Sequence, residues 1–397
     1  MSALLLRSVT LPDGAVGDVR CVDGRIDAVA TTIAPAAGET IEDLAGWLVL
    51  PAPAEPHAHL DKALTADRVP NLRGDLPGAI AAWTAYRPNL TFDDIVERAE
   101  TAARLLLANG CTAIRTHVDV ADDVKLRCVE ALVEVRRRLA DVLNLQIVAL
   151  LAPWADWGLL AEAIAAGADV VGGCPHIADD PTKMQLHCLD VAGEHDRPID
   201  LHTDEHLNAE GLDLRAMAAW VRRTGFIRPV TASHCCSLGV QDDETQRAVA
   251  AEVAEARVAV VTLPQTNLFL QGRDHTSAVP RGLTALRPLL DAGATLAAGA
   301  DNLQDPFNTV GRGDPLETAS LLVMAGHLLP HEAYTAITDG ARRAMGLPSV
   351  AVAAGAPAEL MIVRAASLRA AVAAAPMDRI VVHRGRVVAR TTTARTS

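Results

Sequence analysis

From about residue 92 to residue 300 the chain alternates short, β-branched apolar runs with Ala-, Leu-, Glu- and Arg-rich stretches. The apolar runs fall at 113–118, 146–151, 170–172, 199–202, 230–234, 258–263 and 295–300, and helical periodicity marks 92–109, 126–139 and 244–256 between them. Each parallel strand connection needs a crossover long enough to hold a helix, so this repetition predicts a parallel sheet with helices outside it. Eight such units close into a (β/α)8 TIM barrel. A doubly wound open sheet is the alternative, and it normally carries a Gly-rich nucleotide loop after its first strand. Here the first strand, 48–59, interrupted by Pro51 and Pro53, runs into His57-Ala58-His59 instead. The α/β barrel is the expected fold.

The two ends read as short strands. Val22-Asp23-Gly24-Arg25 is a two-residue hairpin signal, and residues 359–364, 379–383 and 387–389 repeat the strand pattern around a turn at Gly385. Neither end has enough strands to stand alone. A small β-sandwich domain built from residues 1–50 and 347–397 is therefore expected around a barrel of residues 51–346. Hydrophobic residues make up 50% of the chain and charged ones 21%, which excludes a disordered polymer. A net charge of −13 repels phosphate backbones and anionic lipid, so neither nucleic acid nor membrane is an expected partner. No run of 18 uncharged apolar residues occurs, and the start lacks a signal-peptide cleavage site. Seven scattered cysteines without a Cys-x-x-Cys pair read as reduced core thiols, hence a cytoplasmic protein.

Histidine placement carries the chemistry. His57 and His59 are one residue apart, which puts both imidazoles on one face of a strand, the interior face in a barrel. His202, His234 and Asp301 each end or follow a predicted strand of their own, where barrel enzymes build their active sites. Four histidines and a carboxylate converging there predict a site for a divalent cation. His-Thr-Asp-Glu-His at 202–206 follows a strand, so it is not a helical His-Glu-x-x-His motif. The other histidines, His176 among them, read as helix or loop residues.

The segments Glu55-Pro-His-Ala-His-Leu-Asp61, Arg115-Thr-His-Val-Asp119, Pro175-His176, Asp200-Leu-His-Thr-Asp-Glu205, Thr231-Ala-Ser-His234 and Gly299-Ala-Asp301 resemble the amidohydrolase superfamily, within it the cytosine deaminase-like branch. The resemblance spans roughly two-thirds of the chain, residues 50–310. It implies one Zn(II) or Fe(II) held by His57, His59, His202 and Asp301. It also implies that His234 steadies the developing tetrahedral centre, that Asp301 takes the proton of water, and that Glu205 is the general acid/base. No lysine ends the fourth strand as a carbamate bridge, so one metal is expected rather than two.

Departures from that branch fall where substrate would sit. Trp154 stands near the position of a Gln that pairs with cytosine, Asn302 replaces a second Asp, and Phe307 replaces a Trp. A lost buried hydrogen bond costs about 1–3 kcal/mol, so cytosine is expected to be a poor substrate. Lys62 and Gln271, with Arg273, are further pocket candidates, and His117 and Asp119 could stand behind the metal ligands. The expected activity is metal-dependent hydrolytic deamination of a small nitrogen heterocycle, cytosine-like or aminotriazine- or creatinine-like, with water as co-substrate. Release of an alkylamine from an N-substituted aminotriazine and opening of a cyclic amide are the alternatives. A non-catalytic metal-binding barrel is the alternative of another class, although it would be expected to show broken ligands. Self-association as a homo-oligomer is compatible with this architecture.

Overall fold

A computed structural model describes residues 3–393, so the outermost residues of the two expected terminal segments lie outside it. Two eight-stranded sheets organise the chain. The first contains β1 (Ala3–Thr10), β2 (Val16–Val22), β3 (Arg25–Ala30), β4 (Thr40–Asp43) and β5 (Leu48–Pro51). The second takes β6 (Ala54–Ala58), β7 (Ala113–Val120), β8 (Asn144–Leu151), β9 (Val170–Gly173), β10 (Ile199–Thr203), β11 (Val230–His234), β12 (Ala259–Thr262) and β13 (Leu296–Ala298). The chain then returns to the first sheet with β14 (Leu360–Val363), β15 (Arg379–His383) and β16 (Arg386–Thr391).

Strands β6 to β13 lie side by side in chain order and pair in parallel. A parallel bridge between Ala58 and Asp301 brings the first strand to the last and closes the barrel. The closure point thus lies between His57 and His59 on one side and at Asp301 itself on the other. The expected strand 48–59, interrupted by its prolines, is two strands in different sheets. Pro51 and Pro53 cannot donate to a ladder, so the chain leaves one sheet and enters the other between them.

An element absent from the sequence reading is α1 (Leu76–Tyr86), which packs over the mouth of the barrel and buries Ala79 and Trp83. Asp75 caps it by accepting the Gly78 N–H. The next helix, α2 (Phe92–Ala108), is capped by Thr91 and repeats apolar residues at Ile95, Ala99, Ala102 and Leu106, all buried. It packs on α3 (Arg127–Leu139).

The terminal sheet is mixed, in the order β16-β15-β14-β5-β1-β2-β3 with β4 beside β1. Asp23 and Gly24 adopt φ 46° and 82°, and Arg384 and Gly385 adopt φ 48° and 74°, which are the left-handed pairs that two-residue hairpins need. The Arg25–Pro357 bridge and the Ala358 N–H donated to the Gly24 carbonyl join the β2–β3 hairpin to the entry of β14. The sheet so curls around its own core, which includes Leu6, Val19, Val49, Ile362 and Ile380. Among the described residues no helix is long and apolar enough to cross a membrane.

Candidate active site

Three imidazoles from the ends of two strands, β6 and β10, meet at the C-terminal mouth of the barrel. His57 Nε2 lies 3.3 Å from His59 Nε2 and 3.2 Å from His202 Nε2, and the last two are 3.2 Å apart. Asp301 Oδ1 is 3.3 Å from His59 Nε2 and 3.7 Å from His57 Nε2. All four side chains are buried. Among the described residues no group makes a hydrogen bond of good geometry to either Asp301 oxygen, although Thr266 lies beside the carboxyl and favours its charged form. Asp301 (φ 65°) and His234 (φ 71°) occupy the left-handed region, a strain of order 1–3 kcal/mol per residue that tends to persist at functional sites.

The polar groups beneath fix which nitrogen faces the mouth. Ser233 Oγ donates to Asp200 Oδ1 at 2.7 Å, so at 2.9 Å it accepts from His57 Nδ1–H. The lone pair of His57 is thereby left on Nε2. Burial works against the charge of Asp200, but His117 and Arg115 beside it outweigh burial and hold its pKa below the usual range. Arg115 Nη1 donates to the other oxygen of Asp200 at 2.8 Å. Burial, then neighbouring cationic or imidazole groups, lowers the pKa of His57, His59 and His202 well below that of a free imidazole. Burial and the nearby Glu205 raise that of Asp301.

This arrangement fits a cation. Ligand–metal distances of about 2.0–2.1 Å in a tetrahedron put donor atoms about 3.3–3.4 Å apart, close to the spacing of the three Nε2 atoms. Neutral imidazoles crowded nitrogen to nitrogen beside an unsatisfied carboxylate lack protons to share, and a divalent ion supplies what they lack.

A cleft of about 670 Å³, measured with its open mouth, leads to this cluster. Glu205 is buried in its wall, 3.4 Å from His234 Nδ1 through Oε1, and burial pushes its pKa up to about 8. Asn267 Nδ2 donates to His234 Nδ1 at 3.2 Å, which leaves the proton on the buried, unpartnered Nε2. Lys62 also lines the cleft, buried, with Nζ 2.6 Å from Asp119 Oδ1. Trp83 Nε1 and Arg87 Nη1 share the other oxygen of Asp119 at 2.7 and 3.1 Å. Burial opposes the charge of Asp119, yet Lys62 and Arg87 hold its pKa at about 2.

Of the residues expected at the substrate, Trp154, Asn302 and Phe307 line the cleft, Trp154 at 52% exposure as a mouth residue. Asn302 is tied by its amide to Asp305 Oδ2 at 2.9 Å. Gln271 does not belong to the wall. Its amide is taken by the Glu205 backbone carbonyl at 3.2 Å, so it braces the loop from behind. Arg273 is likewise turned away, onto the Phe269 carbonyl. His117 stacks on His57 with ring centroids 3.8 Å apart, beneath the cluster.

Two groups at the site were given no role by the sequence reading: His176, in the cleft wall, and Asn267, against His234. His176 follows β9 in a short turn; its Nδ1–H donates to the His202 carbonyl at 3.1 Å, and its Nε2 stands 3.8 Å from Glu205. Burial lowers its pKa to about 4. Asn267 sits on the helix Pro264–Leu270 after β12, with no motif to announce it.

A sequence profile of the amidohydrolase family matches residues 74–389. The chain is 33% identical over 385 residues to a pterin deaminase of Rhizobium rhizogenes strain K84, an alignment covering 94% of this chain and 88% of that one. The solved structure of N-isopropylammelide isopropylaminohydrolase from Burkholderia multivorans shares 32% identity at a TM-score of 0.85, over 98% of this chain and 99% of that one. That of 5-methylcytosine deaminase from Klebsiella pneumoniae shares 28% identity at a TM-score of 0.90, over 99% of each chain.

Proposed function

The chain belongs to the amidohydrolase family, and from that premise we propose that it deaminates a small aminated nitrogen heterocycle, replacing the exocyclic amine with oxygen and releasing ammonia. One observation carries the reading. Three Nε2 atoms and the Asp301 carboxyl meet at the floor of one cleft, beside a buried Glu205 whose pKa burial raises to about 8.

In this reading His57, His59, His202 and Asp301 hold one Zn(II) or Fe(II). A divalent ion bound there supplies Lewis acidity and lowers the pKa of water toward about 7. Asp301 accepts a proton from the attacking water. His234 donates from Nε2 to the oxygen as negative charge grows on it. Glu205 in its acid form protonates the ring nitrogen, takes up one proton of the water and passes it to the departing amine, and the second proton of the water restores its acid form. The oxygen of water becomes the new carbonyl, and over the turnover its two hydrogens balance those gained by the ring nitrogen and by ammonia.

Leu76, Ile80, Trp83 and Phe307 offer apolar faces for a flat ring, while Lys62, Trp154 and Asn302 select its substituents. A pterin leads the list of substrates because of the similarity to a pterin deaminase. Cytosine is disfavoured because Trp154 offers a single donor where a Gln would pair a donor with an acceptor. A second reading, release of an alkylamine, draws on the 32% identity to the isopropylaminohydrolase. All seven cysteines are unpaired, which supports a reducing, cytoplasmic setting.

The test is mass spectrometry of products after metal-loaded protein meets pterins, cytosine, isocytosine, creatinine and N-alkylated aminotriazines. Ammonia and an oxo product from a pterin, with cytosine slow, is the expected result. A larger amine from the alkylated compounds would favour the second reading, and fast cytosine turnover would remove the specificity assigned to Trp154. Tight metal binding without any turnover would overturn the enzymatic reading in favour of a non-catalytic barrel.

A further inference from the structure

We propose that Glu55 is a positioning residue whose carboxylate replaces the missing ladder between the first and last barrel strands and so sets His57 opposite Asp301. The inference rests on the reading that these two residues share a cation.

The seam is weakly built. Strand β13 is three residues long, and among the described residues the Ala58–Asp301 bridge is the one β pairing across it, the next backbone bonds (Leu64 N–H to the Leu303 carbonyl, Ala66 N–H to the Gln304 carbonyl) lying beyond the strands. Pro56 has no N–H to give, and the register of β6 against β7 jumps between Glu55 and Ala58. Into this gap Glu55 sends its side chain. Oε1 accepts the His57 N–H at 3.1 Å, and Oε2 accepts the Ala300 N–H at 2.9 Å. One oxygen therefore holds the backbone of a proposed ligand, and the other holds the residue before a second ligand on the opposite strand.

Gly299 makes the room. A Cβ there would lie 2.1 Å from Glu55 Oε1. Glu55 is 2% exposed and does not line the cleft, so it acts through the residues it holds and not on substrate. Burying a carboxyl is costly, and what this one obtains is a fixed separation between two ligands, the service that groups behind a metal's own ligands commonly perform.

The experiment uses the full chain with Glu55→Gln, Glu55→Ala, Gly299→Ala and the double variant Glu55→Ala/Gly299→Ala. Zinc affinity is read by competition with a chelator, ligand geometry by the absorption spectrum of the Co(II) form, and fold by the melting temperature of the metal-free protein. A glutamine amide offers one acceptor and one donor, so one of the two N–H groups would face a donor. Glu55→Gln is expected to weaken zinc binding 10- to 100-fold and to alter the Co(II) spectrum, with the metal-free melting temperature little changed. Gly299→Ala should act in the same direction by displacing the carboxyl. In the Glu55→Ala background it should add less than it costs alone, because the 2.1 Å clash is gone and only a tight 3.2 Å approach to Pro56 Cδ remains. Native affinity and spectrum in both Glu55 variants would overturn the proposal, as would additive losses from Glu55→Ala and Gly299→Ala that follow melting temperature alone. Failure of the native chain to bind zinc or Co(II) would instead overturn the metal reading. Should Glu55→Ala not fold, Glu55→Gln and Gly299→Ala carry the same comparison.

Discussion

An unpaired carboxyl taken out of water keeps its proton, and this fits Glu205 for acid catalysis. Burial raises its pKa to about 8, and a cation in the neighbouring cluster draws it down again by favouring the carboxylate. A step that needs the acid form therefore fades as pH rises, so kcat/KM is expected to fall through an apparent pKa at or below about 8. Glu205→Gln should cut kcat by about 10²–10⁴-fold, and a native rate in that variant would remove Glu205 from proton transfer. The sign for stability can be checked without metal. A carboxyl whose pKa rises on folding contributes fully below its ordinary 4.5, and the contribution is lost as pH climbs through about 8. Metal-free Glu205→Gln should thus gain melting temperature relative to the native chain between pH 5 and pH 9. At this scale the sequence discloses the residues that end barrel strands, since a period of two and a common strand end decide where they point. His176 and Asn267 were not legible in that way. Each follows its strand in a turn or short helix, where backbone torsion and not periodicity aims the side chain.

Strands β10 and β11 show what alternation places behind a site. Asp200 and His202 face the same way two residues apart, and Ser233 stands across the pairing from His202. The chain His57 Nδ1–Ser233 Oγ–Asp200 Oδ1 follows from that register, and Arg115 on β7 anchors its far end. Removing the middle link should free the His57 ring to rotate and change tautomer. Ser233→Ala is expected to lose metal about 10- to 100-fold more readily, measured by metal content after dialysis against graded chelator. Retention equal to the native protein's would mean that Arg115 and the stacked His117 hold His57 without Ser233. One element was read as a single strand and another was not read at all, both for reasons of backbone chemistry. Apolar character runs through 48–59, but the prolines inside it cannot donate, and the run divides between two sheets. The stretch around Pro70, Gly74, Pro77 and Gly78 has the composition of a loop, yet it holds α1. Asp75 at the N-cap and Pro77 just inside were the helix-start signals available there.

The barrel and the terminal sheet are tied together by buried charge. Arg379 on β15 makes paired contacts with Asp314 at 2.7 and 2.9 Å and a third, at 2.6 Å, with the carbonyl of Asn109 at the end of α2. Glu359, just before β14, accepts from His383 and lies 3.6 Å from Arg342 in the helix Ala341–Ala344. Breaking a buried pair of this kind costs about 3–5 kcal/mol, so neither part is expected to open while the other stays folded. The proposed cation sits at the seam where the barrel begins and ends, with His57 and His59 on one side and Asp301 on the other. A ligand bound only by the folded state stabilises it by about 2.7 kcal/mol at a hundredfold excess over its Kd. Dialysis against a strong chelator should therefore lower the melting temperature by several degrees, and Zn(II) or Fe(II) should restore it. Because of the buried links, calorimetry should record one transition for the whole chain, displaced as a unit. A chelated protein with two resolved transitions, the lower one confined to the barrel, would show that the Arg379–Asp314 pair does not couple the two sheets. A melting temperature indifferent to chelator in a metal-loaded sample would place the ion somewhere other than across the seam.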